Sequence, residues 1–480
     1  MNDLKNRAMN GLVWKLSEKV GMQAIQFILQ IILARILTPE DYGVIGLLSI
    51  FIVISDVFIY QGLTSALIQK EKTDALDYST VFYSNIIISI FIYIALFFLS
   101  PLIGTFYNDN NLIIYMRVLS LNVIFGAFGA VHNTILAKQL DFKKSFFRGM
   151  VNIGTQGVVG IALALNGFGA WALVYSKLFG TFMGSLALVF TVRWRPQVIY
   201  SFSRIQSMLK FGSKMLGTNL LNTTFNNVHS LIIGKYYTSS ALGFYQRGQQ
   251  IPQTIMTSID GSLSEVLYPA LSLVQGNLSQ LKNALRRSLK LSVYFTLPLM
   301  FGLMAVTKPL VIILLTEKWL PCVPYMQLSC LICSFWPLAM RYHALNALGK
   351  SNVTFRVSII TKMITLFLIF LLLPYGIEAI MCGTIFSSII SLLMTNYYSS
   401  KYLNYSSKEF FKDITPSVFI TILMTICVKF IEYLINNIYI CLIVQIIIGI
   451  LVYITLSVIL KNESFIYSIK TLKELRGKIK

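Results

Sequence analysis

Charged residues are scarce in this chain. Asp, Glu, Lys and Arg make up 12% of its 480 residues, whereas 56% are hydrophobic. Soluble domains carry roughly 25% charged residues, so the composition excludes a soluble globular protein and predicts many membrane-spanning helices. The charges are also lopsided, with 40 Lys and Arg against 19 Asp and Glu. This excess does not indicate nucleic acid as a partner, because the basic residues lie in short loops between apolar segments.

Motifs of catalytic sites are lacking as well. The three histidines, His132, His229 and His343, are too widely separated to form a metal triad, and no HExxH, GxSxG or phosphate-loop motif occurs. A CxxC at Cys330 and Cys333 lies inside an apolar run, which favours small buried residues over a metal or redox site. The loops predicted on the outer side are short and leave no room for a catalytic domain. We therefore expect neither an enzyme nor a metal or cofactor.

Apolar segments of about 20 residues, the length that crosses a ~30 Å hydrocarbon layer, recur along the whole chain. We count fourteen, of which the first, seventh and eighth are amphipathic rather than uniformly apolar. The sequence thus predicts an all-α polytopic membrane protein with about fourteen transmembrane helices, at residues 12–37, 43–63, 82–102, 112–136, 147–165, 170–192, 211–233, 242–267, 289–314, 323–345, 353–373, 377–398, 416–435 and 439–460.

The basic residues provide an independent test of this count, because they concentrate in every second loop. The intervening loops hold only Arg35, Lys235, Lys308 and Lys318, whereas Arg341 is assigned to one of the basic loops. Since cytoplasmic loops carry the excess of Lys and Arg, the alternation predicts that both termini lie in the cytoplasm. One helix more or fewer would break it.

An internal repeat divides the chain. The segment ILARILTPEDYGVI at 32–45 aligns without gaps on IIGKYYTSSALGFY at 232–245, which pairs Gly43 with Gly243 at an offset of 200. Six helices per repeat give the two halves the same orientation, related by an axis along the membrane normal. The predicted organisation is a six-helix bundle at 1–200, a second at 201–404, and two extra transmembrane helices with a basic cytoplasmic tail at 405–480.

Polar side chains form stripes on the first two helices of each predicted repeat. On the seventh helix, spacings of three and four residues place several of them on one face, and the first helix has a matching stripe. A charge at mid-bilayer costs roughly 2.5–3.5 kcal/mol, so such residues usually face protein or water. We expect them to line a polar cavity between two bundles. The cavity candidates from this pattern are Lys19, Gln23, Gln26, Gln30, Asp56, Lys214, Asn222, Asn226, His229, Arg247 and Asp260.

Structural interpretations stay open for several of these residues. Lys19 and Lys214 lie near the predicted cytoplasmic boundary, where long basic side chains can reach the interface. The asparagines of the seventh helix fit hydrogen bonds to neighbouring helices as well as a cavity. His229 fits either a proton-coupling site or a satisfied structural histidine, and we favour the latter. Lys177, on the otherwise apolar sixth helix, fits an ion pair as well as a contact to a substrate.

Four motifs resemble one family. They are ARILTPEDYG at 34–43, GLTSALIQKE at 62–71, the segment that begins IIGKYYTSSALGFYQRGQQIP at 232, and GLMAVTKPLVIILLTEKW at 302–319. They are similar to motifs of Wzx-type polysaccharide flippases, particularly the WzxC branch, within the multidrug/oligosaccharidyl-lipid/polysaccharide exporter superfamily. The resemblance runs through essentially the whole chain.

This resemblance implies alternating access and a cavity lined chiefly by helices one, two, seven and eight. It also makes Arg35 a candidate contact at an outer gate or to a headgroup. The branch commonly has an acidic residue before the IIG segment, whereas this chain has His229. An acidic coupling residue is therefore not implied at that position.

The expected function combines the resemblance with the basic cavity. The chain is expected to flip polyprenyl-diphosphate-linked oligosaccharide repeat units across the bacterial inner membrane, for lipopolysaccharide, O-antigen or exopolysaccharide biosynthesis. Basic residues would attract the diphosphate, while amides and hydroxyls would hydrogen-bond the sugars. Expected partners are this lipid-linked oligosaccharide, the phospholipid membrane, and the glycan polymerase and glycosyltransferases of the same pathway.

Two alternatives belong to other functional classes. A cation-coupled multidrug exporter of the same fold predicts an acidic cavity, whereas basic and amide residues predominate here. A membrane glycan polymerase or ligase requires a substantial outer loop with catalytic groups, and the sequence offers none.

Overall fold

A computed structural model describes residues 21–139, 141–273 and 276–467, with the backbone alone between residues 260 and 273. Within these ranges the chain consists of α-helices, short loops and three 3-10 helices at Glu317–Cys322, Trp336–Ala339 and Leu373–Tyr375. The α-helices are α1 Gly21–Ile36, α2 Pro39–Tyr60, α3 Leu63–Gln69, α4 Ala75–Tyr107, α5 Asn111–Leu119, α6 Leu121–Gln139, α7 Phe142–Leu165, α8 Ala170–Thr191, α9 Phe202–Tyr236, α10 Ser239–Leu273, α11 Leu278–Leu315, α12 Val323–Ser334, α13 Met340–Ala347, α14 Ser351–Leu372, α15 Ile377–Leu403, α16 Ser407–Leu434 and α17 Ile438–Ile459.

Three pairs of these helices continue one another: α2 with α3, α5 with α6, and α12 with α13. Counted in this way, the described residues contain fourteen helical segments, so the predicted all-α polytopic fold with about fourteen helices is confirmed. Ten of these segments are long and apolar enough to cross a membrane. The remaining four are α1, α7, α9 and α10, and the polar stripes discussed below lie on α1, α7 and α9.

The chain forms two compact units, residues 1–243 (unit 1) and residues 244–480 (unit 2). Helix α9 packs on α2, α3 and α4 within unit 1. Contacts therefore group α9 with the first unit, although the repeat places it at the start of the second bundle. The division at 200/201 and 404/405 stays a prediction about the repeat.

Asp77 in α4 holds the predicted cytoplasmic end of unit 1 together. Its carboxylate is buried and lies 2.6 Å from Lys70 Nζ and 3.2 Å from Arg204 Nη1, so it joins α4 to the first turn of α9. The Asp77 backbone N–H donates to Asp74 over 2.8 Å, which caps α4 and lowers the pKa of Asp74. Beneath these polar contacts lies an apolar cluster from α3, α4, α6 and α9 that includes Leu67, Val81, Leu136 and Ile205.

A denser ionic network joins α11 to α16 in unit 2. Asp413 has a side chain only 3% exposed and accepts from Arg286 Nε and Nη2 at 2.7 and 2.8 Å. Lys290 Nζ lies 3.1 Å from Asp413, and the Tyr405 hydroxyl donates to it over 2.8 Å. Lys290 also pairs at 2.7 Å with Glu463, which follows α17. The last two helices are thereby fixed to unit 2.

Replacing Asp413 tests the importance of this network. Asp413→Asn keeps the shape of the side chain but leaves Arg286 and Lys290 without their shared carboxylate. We expect a loss of about 3 kcal/mol in the free energy of unfolding, at the lower end of the range for breaking a buried pair, because Arg286 and Lys290 keep contacts with Glu409 and Glu463. Thermal unfolding of the purified protein in detergent measures it.

The matched control is Glu463→Gln. Its carboxylate also pairs with Lys290 but is 79% exposed, so we expect a change below about 1 kcal/mol. Equal destabilisation by the two substitutions would contradict a special role for the buried network.

Candidate functional site

Small residues on α8 make room for polar side chains of α7 inside unit 1. A Cβ added to Gly180 would overlap the Gln156 side chain, and one added to Gly184 would lie 3.1 Å from Asn152. Gln156 Nε2 in turn donates to Asn152 Oδ1 over 2.6 Å. Glycine on one helix thus lets a neighbouring helix approach with amide side chains between them, as is common in membrane proteins.

Three charged side chains from α2, α7 and α8 share this interior. Asp56 in α2 and Lys177 in α8 interact electrostatically, and both are desolvated by the surrounding protein. Tyr60, one turn after Asp56, senses the charges of Asp56 and Arg148 and donates to the Gly126 carbonyl over 3.2 Å. Arg148 Nε is buried and has no hydrogen-bond partner among the described residues. Lys177 thus interacts with Asp56, and Arg148 lies near Tyr60 on the same side of this interior.

The predicted stripes on α1 and α9 occupy exposed or half-buried positions. In α1, Gln26 is exposed, while Gln23 and Gln30 are half-buried. In α9, the side chains of Lys214, Asn222 and Asn226 are exposed, and His229 is half-buried.

Other polar groups of α9 bond within their own helix. The amides of Asn219 and Asn227 donate to the backbone carbonyls of Met215 and Thr223 over 2.9 and 2.8 Å. These bonds leave the amide oxygens as acceptors along a helix that is too polar for lipid. This composition favours a polar medium over lipid beside α9.

Other predicted site residues lie elsewhere. Arg35 is exposed at the end of α1. Arg247 in unit 2 is only 5% exposed, donates to Gln250 and lies 5.6 Å from the centre of the Trp319 ring. Lys19 lies outside the described residues, and so does the side chain of Asp260. Of the predicted site residues, Asp56 lies in the interior of unit 1 together with Arg148 and Lys177.

Two features were missed from the sequence. Arg148, Asn152 and Gln156 repeat at intervals of four residues along α7, a signal equivalent to the stripe on α1. Arg341 was counted with the basic loops although it falls within the predicted helix 323–345; it lies within α13 and is completely buried.

The repeated motif forms a close helix crossing at the predicted outer end. Thr38 caps α2 together with Asp41, and Thr238 accepts from the Ala241 backbone N–H at the start of α10 over 3.2 Å. A Cβ added to Gly43 would overlap the Ser239 carbonyl oxygen, and one added to Gly243 would overlap the Pro39 carbonyl oxygen.

Pro39 and Ser239 are themselves 200 residues apart, like Gly43 and Gly243, so the contact is reciprocal. Glycine is required at both positions because two backbones meet there. The repeat thus has a structural counterpart in which equivalent helix starts touch.

Taken together, Asp56, Arg148 and Lys177 place two cations and one carboxylate beside the amides of α7 in the interior of unit 1. Cations inside a membrane protein favour an anionic group such as a phosphate, and amides favour hydroxyl-rich molecules. The arrangement is suited to binding a polar, negatively charged molecule within the membrane.

Comparison with known proteins identifies relatives named for succinoglycan and lipopolysaccharide biosynthesis. The chain is 26% identical over 311 residues to the succinoglycan biosynthesis transport protein ExoT of Rhizobium meliloti (strain 1021), covering 64% of this chain and 62% of that protein. It is 22% identical over 335 residues to the lipopolysaccharide biosynthesis protein WzxC of Escherichia coli (strain K12), covering 68% and 67%. The match to ExoT therefore spans less than two thirds of that relative.

Solved structures share the fold. The lipid II flippase MurJ in an inward closed conformation superposes with a TM-score of 0.77 and 16% identity, over 94% of this chain and 98% of that one. An inward-facing multidrug resistance transporter of the MATE family in the MOP superfamily gives 0.64 and 17%, over 82% and 99%.

A family model described as polysaccharide biosynthesis protein matches residues 32–324, a range that includes all four motifs. Together with the relatives, this match confirms the Wzx-type resemblance seen in the motifs. The chain belongs to the polysaccharide biosynthesis protein family, with the fold of the MOP transporters.

Proposed function

We propose that this protein moves a polyprenyl-diphosphate-linked oligosaccharide from the cytoplasmic to the outer leaflet of a bacterial inner membrane. The observation that carries the proposal is the presence of two cations in the interior of unit 1 of a polysaccharide biosynthesis protein: Lys177, which is desolvated, and Arg148, whose Nε is buried without a hydrogen-bond partner among the described residues. A diphosphate supplies the missing negative charge. The relatives' names, which refer to succinoglycan transport and lipopolysaccharide biosynthesis, support a glycan as the cargo.

The chemistry of transport follows from the polar groups. Lys177 and Arg148 attract the diphosphate. Asp56 competes with the diphosphate for Lys177, so that the cargo binds reversibly and can be released. Amides such as Asn152 and Gln156 exchange hydrogen bonds with sugar hydroxyls. The polyprenyl tail stays in the bilayer. The cargo binds the inward-facing and outward-facing states with different affinity, and this difference shifts the protein from one state to the other.

Lys177 provides the direct test of this proposal. Lys177→Met removes the charge while keeping much of the side-chain volume, and we expect surface glycan to fall at least about tenfold because a charge-assisted contact is lost. Lys177→Arg, which retains the charge, should keep part of the export. The measurement is surface polysaccharide in a deletion strain that expresses each variant at equal level, together with lipid-linked repeat units retained in the cells.

Lys72→Met is the matched control, since Lys72 is exposed in the loop before α4. It should export normally. Full export by Lys177→Met would exclude Lys177 from the cargo path. Drug resistance that depends on the protein, without any change in surface glycan, would instead favour a multidrug exporter.

We expect the contact between the starts of α2 and α10 to close the transport path at its predicted outer end. Gly43→Ala forces the Ser239 backbone away, so the crossing should loosen and export should fall. In a variant without the six native cysteines, Ser240→Cys should then react faster with a membrane-impermeant maleimide. Gly243→Ala should have the same effect, because the contact is reciprocal.

Gly154→Ala serves as the control for helix packing, because a Cβ at this α7 position meets nothing within 4 Å. It should leave both export and labelling unchanged. Unchanged labelling after Gly43→Ala, in a folded protein, would show that the crossing does not close the outer end.

A further inference from the structure

A membrane helix of unit 2 is broken in its middle. Helix α12 ends at Ser334, a 3-10 turn spans Trp336–Ala339, and α13 continues from Met340. Pro337 lies in this turn and has no backbone N–H to donate, which interrupts the α-helical ladder. Within membranes, such breaks are tolerated where the irregular backbone is buried in protein or lines a cavity, and they often mark binding sites.

Arg341 lies one helical turn after Pro337 and is completely buried. Its Nε donates to the Leu338 carbonyl over 3.2 Å, and its Nη1 donates to Asn396 Oδ1 over 3.1 Å. The guanidinium also lies 4.2 Å from the centre of the Phe410 ring. Its Nη2 is buried without a hydrogen-bond partner. Every partner of this cation is therefore uncharged.

No Asp or Glu among the described residues forms an ion pair with Arg341. The carboxylate of Asp413 in the neighbouring helix α16 is already shared by Arg286, Lys290 and Tyr405. A buried arginine without a counter-ion is costly in a membrane protein. An anion bound beside it would remove much of that cost.

A cavity of about 320 Å³ lies at this position. Its volume is at the lower end of the range for ligand sites, roughly 300–1,000 Å³. Arg341 lines it, as do hydroxyl groups of α13, α14 and α15. The Tyr342 and Ser391 hydroxyls lie 2.9 Å apart, and the Ser388 hydroxyl donates to the Thr384 carbonyl over 2.9 Å. Hydroxyl groups can rotate to donate to a ligand, so the wall can complete the coordination of an anion.

The position along the membrane selects the kind of anion. Arg341 lies six residues before the end of α13, about 9 Å along the helix from the predicted cytoplasmic loop. Lipid phosphates of the cytoplasmic leaflet lie near this depth, and basic pockets between membrane helices bind such headgroups.

We propose that this cavity binds the phosphate of a lipid in the cytoplasmic leaflet, with the hydroxyl groups of its wall as contacts and the buried Arg341 guanidinium beside it as the compensating positive charge. The phosphate comes from a phospholipid or from a polyprenyl phosphate, and the chemistry of recognition is the same. The site is separate from the interior of unit 1 and does not depend on the proposed transport function.

Thermal unfolding of the full-length protein in detergent tests the site. The probes are phosphatidylglycerol, undecaprenyl phosphate, phosphatidylcholine and inorganic phosphate, each titrated separately. A ligand that binds only the folded state raises Tm as its concentration rises. We expect phosphatidylglycerol or undecaprenyl phosphate to raise Tm, and phosphatidylcholine to raise it less because its quaternary ammonium offsets the phosphate charge.

Two variants locate the effect. Arg341→Gln removes the charge, and Ser388→Leu fills the cavity while leaving Arg341 in place. Each should weaken the apparent affinity for the lipid phosphate at least about tenfold. The control Arg356→Gln removes an exposed cation of α14 and should bind like the unsubstituted protein.

The pattern of responses decides the outcome. A rise in Tm with phosphatidylglycerol alone assigns the site to a phospholipid. A rise in Tm with undecaprenyl phosphate alone assigns it to the polyprenyl carrier. Either result supports the site if the Ser388→Leu variant folds and its Tm no longer rises with the lipid. The proposal is wrong if no lipid phosphate raises Tm, if Arg341→Gln keeps the full gain, or if inorganic phosphate alone accounts for it.

Discussion

A charged side chain in a membrane-spanning helix needs compensation from protein, water or a ligand, and the described charges of this chain differ in how far they obtain it. Asp413 is completely compensated and holds α16 against α11. Within unit 1, Lys177 interacts with Asp56, whereas Arg148 Nε is buried without a hydrogen-bond partner among the described residues. Arg341 has uncharged partners alone among the described residues. The degree of compensation separates charges that stabilise the fold from charges suited to bind a ligand.

The length of the apolar segments and the alternation of basic loops were sufficient to predict the fold, because membrane thickness and charge asymmetry act on each segment locally. The polar character of α1, α9 and α10 was also visible in the sequence. Arg341 was counted with a basic loop because it lies near the end of its predicted helix, and the break at Pro337 became apparent only in the structure. Similarly, the amides of α7 were overlooked because their environment is made by glycines of another helix.

The repeat shows a different limit of sequence analysis. Aligning 32–45 with 232–245 pairs Gly43 with Gly243 but does not reveal that these helix starts touch. Equivalent residues of a repeat need not lie in contact, but here the equivalent helix starts do. This backbone contact explains why residues 43 and 243 are both glycine. The capping threonines have a simpler explanation, since each satisfies the first turn of its own helix.

The network around Asp413 also has a consequence for biosynthesis. Arg286 precedes Asp413 by 127 residues in the chain. At ribosomal rates of roughly 5–20 residues per second, α11 waits about 6–25 s for the carboxylate that neutralises its basic side chains. Until α16 has been inserted, these cations rely on water and on anionic headgroups at the membrane surface. Unit 2 therefore reaches its final packing only late in translation, whereas all the helices of unit 1 are already available to assemble.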